Sequence, residues 1–318
     1  MLVIVAPGQG AQTPGFLTPW LEDQAFAARL EWLASVADMD LVHYGTDADA
    51  DTIRATEIAQ PLLVATALAA AGSLLPLTPE GRIWLEQVGA VAGHSVGELA
   101  AAAISEALSA EQAMVLVRER GRAMAEAAAA TATGMTAVLG GVREDVLAAI
   151  ETHGLTPAND NGPGQIVAAG TMEQLAAFAE EPPSRARLVP LSVAGAFHTT
   201  HMAPAVGRLE RLARSVSTAT PRTAILSNRD GRVVDSGPEV LVRIVGQIAS
   251  PVRWDLCMDT MRELGVTGLL ELPPAGTLTG IAKRALKGVE SFALKTPDQL
   301  EDARAFCTAH ATSQEANR

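Results

Sequence analysis

The hydrophobic pattern in the first part of the chain alternates between short apolar runs and longer helical segments. Leu2 to Ala6 is apolar at every position, which predicts a strand buried on both faces, and 87–92 predicts a second strand. The predicted helices span 60–75, with Pro61 in its first turn, 99–104 and 110–130. Strands that alternate with helices favour an α/β fold with a parallel sheet.

The pattern changes between residues 131 and 193, where the segments follow one another at shorter intervals. In order they predict a strand at 136–139, a helix at 143–152, strands at 157–159 and 165–169, a helix at 172–181 and a strand at 187–193. This βαββαβ order is typical of a ferredoxin-like domain. We therefore predict a small ferredoxin-like domain at 131–193. It is inserted in a large α/β-hydrolase-like domain at 1–130 and 194–318, with a late strand at 266–270 and a frayed tail at 313–318.

Composition narrows the class of protein. The 318 residues are 48% apolar and 19% charged, as in a globular protein with a large core. A net charge of −12 argues against nucleic-acid binding. No apolar stretch is judged long enough to span a bilayer, and the N-terminal run lacks the basic start of a signal peptide. Cys257 and Cys307 are too distant in sequence to indicate a disulfide scaffold. We expect a cytoplasmic monomer with no membrane partner.

The segment 91–100 carries the densest chemical signal, because it places Gly-x-Ser-x-Gly between a predicted strand and a predicted helix. In such a nucleophile elbow the sharp turn exposes the Ser95 hydroxyl. Gly93 and Gly97 are needed because a Cβ at either position would clash with the neighbouring strand or helix. The start of the helix directs free N–H groups toward the reacting oxygen. The segment therefore predicts acyl transfer through an acyl-serine.

A nucleophilic serine needs a base, and His198 and His201 are the two candidates. Both lie in the segment 195–202, where the chain re-enters the large domain and a loop can overhang the elbow. His94 adjoins Ser95, so the turn should direct its side chain elsewhere, and the other histidines lie in polar or terminal surroundings. We predict no metal site, because this pair has no evident third ligand.

A series of segments, in order along nearly the whole chain, resembles the malonyl-CoA:acyl carrier protein transacylases of fatty acid synthesis. They are the loop 7–12, the elbow 93–98, Arg120-Gly121 with Met124, Asn159-Asp160-Asn161 with 164–170, Phe197-His198, Gln247 with 250–254, and Leu278-Thr279-Gly280. One departure is Asp160, where many relatives carry an aromatic residue.

The resemblance implies a role for each matching residue. Ser95 would be the nucleophile and His198, rather than His201, the general base and acid, oriented by the carbonyl oxygen of Gln247. The backbone N–H groups of Gln9 and Val96 would form the oxyanion hole, since two fixed donors need no reorganisation as charge develops.

The resemblance also implies how the substrate is held. Arg120 would grip the free carboxylate of malonate through paired charge-assisted hydrogen bonds, and Val96 and Phe197 match the malonyl-selective form of the family. An acyl group without a carboxylate would leave the buried cation unpaired and so be rejected. The implied substrate-binding residues are Arg120, Phe197, Asn159, Asn161 and His94.

The implied reaction is a ping-pong transfer of malonyl from malonyl-CoA to the phosphopantetheine thiol of an acyl carrier protein, with no bound cofactor. Three alternatives remain: a thioesterase or esterase, an inactive carrier-protein-binding module, and a malonyl transferase of malonate degradation or polyketide synthesis. Arg120 and the inserted domain argue against a simple hydrolase. Ser95 and His198 argue against an inactive module.

The charge of the chain constrains the partner. Carrier proteins of this family are acidic, so an acidic enzyme needs a local basic patch to dock one. Arg185 and Arg187 are one candidate. Lys283, Arg284 and Lys287, on a predicted late helix, are the other, with Lys283 and Lys287 expected on one helical face.

Overall fold

The structure is a computed structural model that describes residues 1–75 and 87–311. The strands described are β1 (Leu2–Ala6), β2 (Val88–Gly93), β3 (Thr133–Gly140), β4 (Thr156–Asp160), β5 (Gln165–Thr171), β6 (Ala186–Pro190), β7 (Ala224–Leu226), β8 (Val233–Val234), β9 (Val252–Arg253), β10 (Gly268–Glu271) and β11 (Glu290–Ala293). The predicted tail at 313–318 lies outside the described residues.

The α-helices are also numbered in chain order, and most of them connect these strands or pack on the sheets. They are α1 (Gln24–Ala37), α2 (Leu41–Thr46), α3 (Thr56–Leu74), α4 (Gly97–Ile104), α5 (Ala110–Ala129), α6 (Arg143–Thr152), α7 (Met172–Glu180), α8 (Ala203–Ala213), α9 (Gly237–Gly246), α10 (Trp254–Glu263), α11 (Thr277–Ala285) and α12 (Leu300–His310). The result is a mixed α/β fold.

One sheet has six strands in the order β11-β10-β1-β2-β7-β8, all parallel except for the antiparallel β7–β8 pair. Successive strand residues point to opposite faces, so Leu2 and Ile4 pack into one core cluster and Val3 and Val5 into another. Both faces are covered, which explains why β1 is apolar throughout. The carboxyl ends of β1 and β2 meet at the elbow.

The second sheet has five strands in the order β6-β3-β5-β4-β9. Neighbours from β6 to β4 are antiparallel, and β9 is parallel to β4. One face packs on α6 and α7, where Val138 and Ile166 meet Phe178. The opposite face contributes Met135 and Val167 to the main core. The second sheet is thus joined to the rest of the protein through both its face and its edge.

Helix α3 differs from the sequence prediction in two ways. It begins at Thr56, so Pro61 lies inside the helix rather than in its first turn. Pro61 removes one backbone hydrogen bond near the start, and burial of nearly every residue of the helix outweighs that loss. The prediction that no segment is long enough to span a bilayer is also wrong, because Thr56–Leu74 meets the length and hydropathy criteria. Its spanning window is 83% buried against α1, α4 and α5, as in the core helix of a soluble protein.

The late helix ends earlier than expected. Helix α11 stops at Ala285, so Lys283 lies on it but Lys287 lies beyond it. The prediction that these two lysines share one helical face is therefore wrong, although both side chains are exposed.

Candidate active site

Only three residues, 94–96, connect a strand to a helix at the elbow around Ser95. β2 ends at Gly93, α4 begins at Gly97, and Ser95 has a φ of 53°. A Cβ on Gly93 would collide with the Gly97 backbone, and one on Gly97 with the Ala6 carbonyl. Only glycine permits this approach, which holds Ser95 in a left-handed conformation that a serine rarely adopts.

The Ser95 hydroxyl lies against a histidine that is fixed from its other side. Ser95 Oγ is 2.7 Å from His198 Nε2, and His198 Nδ1 is 2.9 Å from the backbone carbonyl oxygen of Gln247. A carbonyl only accepts, so Nδ1 carries the proton and Nε2 presents its lone pair to the serine. Burial, together with the positive charge of Arg120, lowers the pKa of His198 to about 3. The imidazole is therefore neutral and ready to accept a proton at neutral pH.

The loop that carries His198 is held by local hydrogen bonds. Thr199 Oγ1 donates to the Ala196 carbonyl at 2.7 Å, and the Ala196 N–H donates to Thr133 Oγ1 at 2.9 Å. His198 itself has a φ of 62°, so both members of the serine–histidine pair occupy left-handed backbone positions. His201 follows in a 3₁₀ turn, Thr200–Met202, and of the two histidines only His198 hydrogen bonds to Ser95 within the described residues.

Arg120 is a buried cation whose direct partners are neutral. It is 1% exposed, with Nη1 2.6 Å from Gln60 Oε1 and Nη2 3.0 Å from Gln247 Oε1. Nη2 also lies 3.4 Å from Ser95 Oγ. Among the carboxylates that the structure describes none forms an ion pair with Arg120, and its Nε has no hydrogen-bond partner there. Burial lowers the pKa of Arg120 to about 10, so it stays charged at neutral pH.

Ser95 and His198 open into a cleft of about 260 Å³ between the two sheets. The elbow, α3, α5 and α11 form one side, and β3, β4 and β5 form the other. The predicted residues that line it are Gln9, His94, Ser95, Asn159, Asn161, Phe197 and His198. The second sheet thus provides a wall over the nucleophile.

His94 joins the two walls of the cleft. Its Nε2 is 2.8 Å from Asn161 Oδ1, and its ring meets Trp254 edge-on at a centroid distance of 5.7 Å. Burial lowers the pKa of His94, so the ring is neutral at neutral pH. Its side chain is directed to Asn161 and away from the base position, as the sequence predicts.

Gln9 and Val96 occupy different surroundings. Gln9 lines the cleft, and its Nε2 donates to the Arg54 carbonyl at 3.2 Å. Val96 is 1% exposed and its side chain packs in the main core. Any contribution of Val96 to the substrate site therefore comes through its backbone N–H.

Asp160 faces away from the cleft. It alternates along β4 with Asn159 and Asn161, so its side chain lies on the opposite face, where it is paired with Arg143. Its register partner on β9 is Arg253. The departure from the family pattern at this position therefore affects the contacts of β4 with α6 and β9, and not the lining of the cleft.

Three buried polar residues that the sequence analysis left without a role lie directly behind this site: Gln60, Glu98 and Asn228. Glu98 lies at the end of the elbow, in the first turn of α4, and Asn228 follows β7 at the same sheet edge as the elbow. Sites in parallel sheets form at the carboxyl ends of the strands, so a polar residue just after a predicted strand is a candidate site residue. Asn228 could have been identified in this way.

The described residues contain no group of three or more His, Cys, Asp or Glu side chains arranged to hold a metal ion. Cys257 and Cys307 are both buried and free of disulfides, and burial raises the pKa of each thiol. Neither cysteine lines the cleft, whereas Ser95 lines it and is hydrogen bonded to His198.

Comparisons with known proteins agree with this geometry. The acyl transferase domain family matches residues 3–314. The chain is 46% identical over 302 residues to a malonyl CoA-acyl carrier protein transacylase of Mycobacterium tuberculosis, an alignment that covers 95% of this chain and 99% of that protein. It is 30% identical over 304 residues to the protein of the same name from Haemophilus influenzae, covering 92% and 94%.

Solved structures show the same relationship. The crystal structure of MCAT from Mycobacterium tuberculosis superposes with a TM-score of 0.90 at 46% identity, over 96% of this chain and 99% of that one. A malonyl-transacylase solved in complex with its type II PKS acyl-carrier protein superposes with a TM-score of 0.85 at 27% identity, over 96% and 99%. The chain therefore belongs to the acyl transferase domain family, among relatives named malonyl CoA-acyl carrier protein transacylase.

Proposed function

We propose that this protein transfers malonyl groups from malonyl-CoA to the phosphopantetheine thiol of an acyl carrier protein through a malonyl-Ser95 intermediate. The observation that carries the proposal is the juxtaposition of the Ser95–His198 pair with Arg120, a buried cation that has no anionic partner among the described residues. A malonyl ester on Ser95 would hold its free carboxylate two carbons from the ester carbonyl, within reach of Arg120. The names of the relatives support this substrate pair.

In the first half-reaction Ser95 Oγ attacks the malonyl thioester carbon as its proton passes to His198 Nε2. The tetrahedral oxyanion is stabilised by the backbone N–H groups of Gln9 and Val96. His198 then gives the proton to the departing sulfur, so that the C–S bond breaks, coenzyme A leaves as its thiol and malonyl-Ser95 remains.

In the second half-reaction the same groups act in reverse order. The carrier-protein thiol gives its proton to His198 Nε2, and the thiolate attacks the ester carbonyl. His198 returns the proton to Ser95 Oγ as the ester C–O bond breaks. The bond from Nδ1 to the Gln247 carbonyl holds the ring in one tautomer, and this carbonyl is neutral, whereas an aspartate in its place would make the imidazole more basic.

Selectivity follows from the surroundings of the acyl group. Malonate gives Arg120 the anion that the protein does not provide, whereas acetate leaves the buried cation unpaired. Phe197 is 5% exposed and lines the cleft, where its ring would crowd a branch at the malonyl α-carbon. Asn159 and Asn161 line the cleft from the second sheet, and His94 contacts Asn161 from the elbow.

The wider organisation completes the proposal. The antiparallel order β6-β3-β5-β4 and the element order β3-α6-β4-β5-α7-β6 support a ferredoxin-like small domain at 131–193. The parallel sheet and the elbow support an α/β-hydrolase-like large domain at 1–130 and 194–318. We propose a cytoplasmic monomer that needs no bound cofactor, because the serine and histidine supply nucleophile and base, and coenzyme A enters as part of the substrate.

The carrier protein would dock beside the cleft. Arg284 Nη2 is 2.8 Å from Oε1 of Gln165, a residue that lines the cleft, and the exposed Lys283 and Lys287 lie nearby in sequence. Arg187, Leu139 and Gln165 form one cross-strand row, so the second basic candidate lies at the same end of the small sheet. Both patches could meet an acidic partner whose thiol enters the cleft.

The deciding experiment is mass spectrometry of the intact protein, followed by peptide mapping, after brief mixing with malonyl-CoA alone. We expect one malonyl adduct on Ser95, its transfer when a carrier protein is added, and its absence in Ser95→Ala. An adduct on a cysteine or another serine would refute the assignment. Rapid release of free malonate without carrier protein would instead identify a hydrolase.

A further inference from the structure

Glu98 is a buried carboxylate directly behind the serine–histidine pair. It is 3% exposed, at the second position of α4, and each of its carboxylate oxygens has a different partner. Oε1 accepts from the backbone N–H of Asn228, and Oε2 accepts from Nε2 of Gln247. Glu98 therefore connects two chain segments that are far from the elbow in sequence.

The first connection reaches the elbow. Asn228 Oδ1 accepts from the Ser95 N–H at 2.7 Å, and Asn228 Nδ2 donates to the Gly93 carbonyl at 2.8 Å. One side chain thus holds both the nucleophile's backbone and the end of the preceding strand. Glu98 fixes the backbone of Asn228, so it acts on Ser95 through Asn228.

The second connection reaches the base and the substrate cation. Gln247 accepts from His198 Nδ1 with its backbone carbonyl and from Arg120 Nη2 with Oε1. A glutamine amide is nearly symmetric in shape, so its partners decide which end is the oxygen. Because Glu98 accepts from Nε2, Oε1 must face Arg120. A flipped amide would present N–H groups to a guanidinium.

This arrangement places one neutral amide between the buried carboxyl group of Glu98 and the buried cation of Arg120. Burial raises the pKa of Glu98 to about 8, while the Asn228 N–H and the charge of Arg120 favour its ionised form. Glu98 and Arg120 attract each other without forming a direct ion pair. Arg120 is therefore held in place while its remaining N–H groups stay available.

We propose that Glu98 is a positioning residue of the transfer site: it sets the orientation of Gln247 and Asn228, and through them the placement of His198, Arg120 and the Ser95 amide. This inference rests on the proposed function. It explains why a carboxylate is buried where the chemistry itself uses none.

The test is Glu98→Gln, which keeps the shape and replaces one acceptor oxygen by a donor that faces Gln247 Nε2. We expect the rate of Ser95 acylation by malonyl-CoA to fall by roughly tenfold or more, the equivalent of one lost buried hydrogen bond. The preference for malonyl-CoA over acetyl-CoA should fall with it. In an Arg120→Ala background Glu98→Gln should cause little further loss of preference, because the Gln247–Arg120 contact is already gone.

Glu271→Gln is a matched control. Glu271 is 0% exposed and accepts from three backbone N–H groups at the start of α11, without a connection to His198 or Arg120. It should lower the melting temperature and leave the malonyl-to-acetyl ratio unchanged.

The inference is overturned if Glu98→Gln changes only the melting temperature, if its effect on preference simply adds to that of Arg120→Ala, or if Glu271→Gln changes the ratio equally. Should Glu98→Gln not fold, Glu98→Asp, which keeps the charge but shortens the reach, must show the same joint loss of rate and preference. Absence of a malonyl adduct on wild-type Ser95 would refute the proposed function itself, and that result is independent of Glu98.

Discussion

Helix α5 carries arginines on two faces, and their surroundings are opposite in kind. Arg118 and Arg122, on the outer face, pair with Glu119 at 3.2 and 3.4 Å. Arg120, turned about 200° from each of them, is buried against amide oxygens and has no direct anionic partner among the described residues. A cation at the surface is balanced by protein and water. A cation without a direct anionic partner inside the protein costs stability, and an anionic ligand would offset that cost.

The same contrast separates the interior of the cleft from its rim. Inside, Arg120, Gln247 and His198 are buried and share hydrogen-bond partners, so changing one group disturbs several others. At the rim, Lys283 and Lys287 are exposed to solvent. Substitutions inside should therefore have large effects that depend little on salt, and substitutions at the rim should have small effects that depend strongly on it.

The largest expected effect is a loss of substrate preference on replacing the arginine of the inner face of α5 but not one of the outer face. Arg120→Ala should weaken malonyl transfer and relatively improve acetyl transfer, with a loss of discrimination of roughly 2–5 kcal/mol, as for breaking a buried charge pair. Arg118→Ala is the matched outer-face control and should leave the ratio unchanged. The measurement is kcat/KM for both coenzyme A esters. An unchanged ratio in Arg120→Ala would place carboxylate recognition elsewhere, with Arg118 and Arg122 next to be tested.

The next comparison concerns the two histidines of one loop. His198→Ala should slow both half-reactions by on the order of 100-fold or more, because the proton acceptor is lost. His201→Ala should retain much of the activity, since its side chain does not hydrogen bond to Ser95 in the described structure. Single-turnover acylation and deacylation rates measure each half-reaction. Comparable losses at both positions would contradict the assignment of the base to His198.

The pH dependence of acylation should show that the charge of Arg120 lowers the pKa of His198. Only the neutral imidazole accepts a proton, so activity is lost as the pH falls through the pKa of His198. Because that pKa is about 3, acylation of the wild-type protein should not decline between pH 8 and 5 on account of His198. Arg120 is one cause of the low pKa, so Arg120→Ala should move the acid limb to higher pH. The measurement is the pH profile of acylation by acetyl-CoA for the wild-type protein and for Arg120→Ala. If the two profiles coincide, the charge of Arg120 does not affect the pKa of His198.

The sequence predicts those parts of the structure whose cause is local. The strand at Leu2–Ala6 and the helix at Arg143–Thr152 have the predicted bounds because each has a clear apolar period and clear ends. Around the nucleophile, the requirement for Gly93 and Gly97 follows from steric contacts within a few residues. The start of α3 was placed too late because Pro61 resembles a first-turn proline, whereas tertiary packing extends the helix by another turn.

Contacts between distant segments could not be predicted in the same way. Asn228 is 133 positions from Ser95 and Gln247 is 149 from Glu98, and no local pattern specifies such pairs. The resemblance to a family supplied His198, Gln247 and Arg120, which residue patterns alone left open or unassigned. Glu98 belongs to the elbow motif, but its role depends on partners that only the fold brings to it.

Asp160 lies on the side of β4 that faces away from the cleft, so its replacement tests whether that side contributes to stability rather than to acylation. Asp160→Asn should weaken the pairing with Arg143, and since the acid is buried and the arginine half exposed, we expect a loss of about 1–2 kcal/mol in the free energy of unfolding. Acylation of Ser95 should change little, because Asp160 faces away from the cleft. Urea unfolding and adduct formation measure the two effects. A large loss of acylation with unchanged stability would mean that Asp160 acts on the substrate wall.

The smallest effect is expected at the rim, where the partner must overcome the net charge of −12. Replacing Lys283 and Lys287 by glutamate, or Arg185 and Arg187 by glutamate, should raise KM for the carrier protein by roughly fivefold at low salt, about 1 kcal/mol for exposed charges. Acylation by malonyl-CoA should remain nearly unchanged, because these side chains are exposed and contribute nothing to the Ser95–His198 pair. The increase should shrink as salt is added, since exposed charges more than about 10 Å apart are screened at 0.1 M. If neither pair alters the carrier-protein step at low salt, the docking surface lies on another part of the rim, and the comparison between interior and rim must be repeated with the charges there.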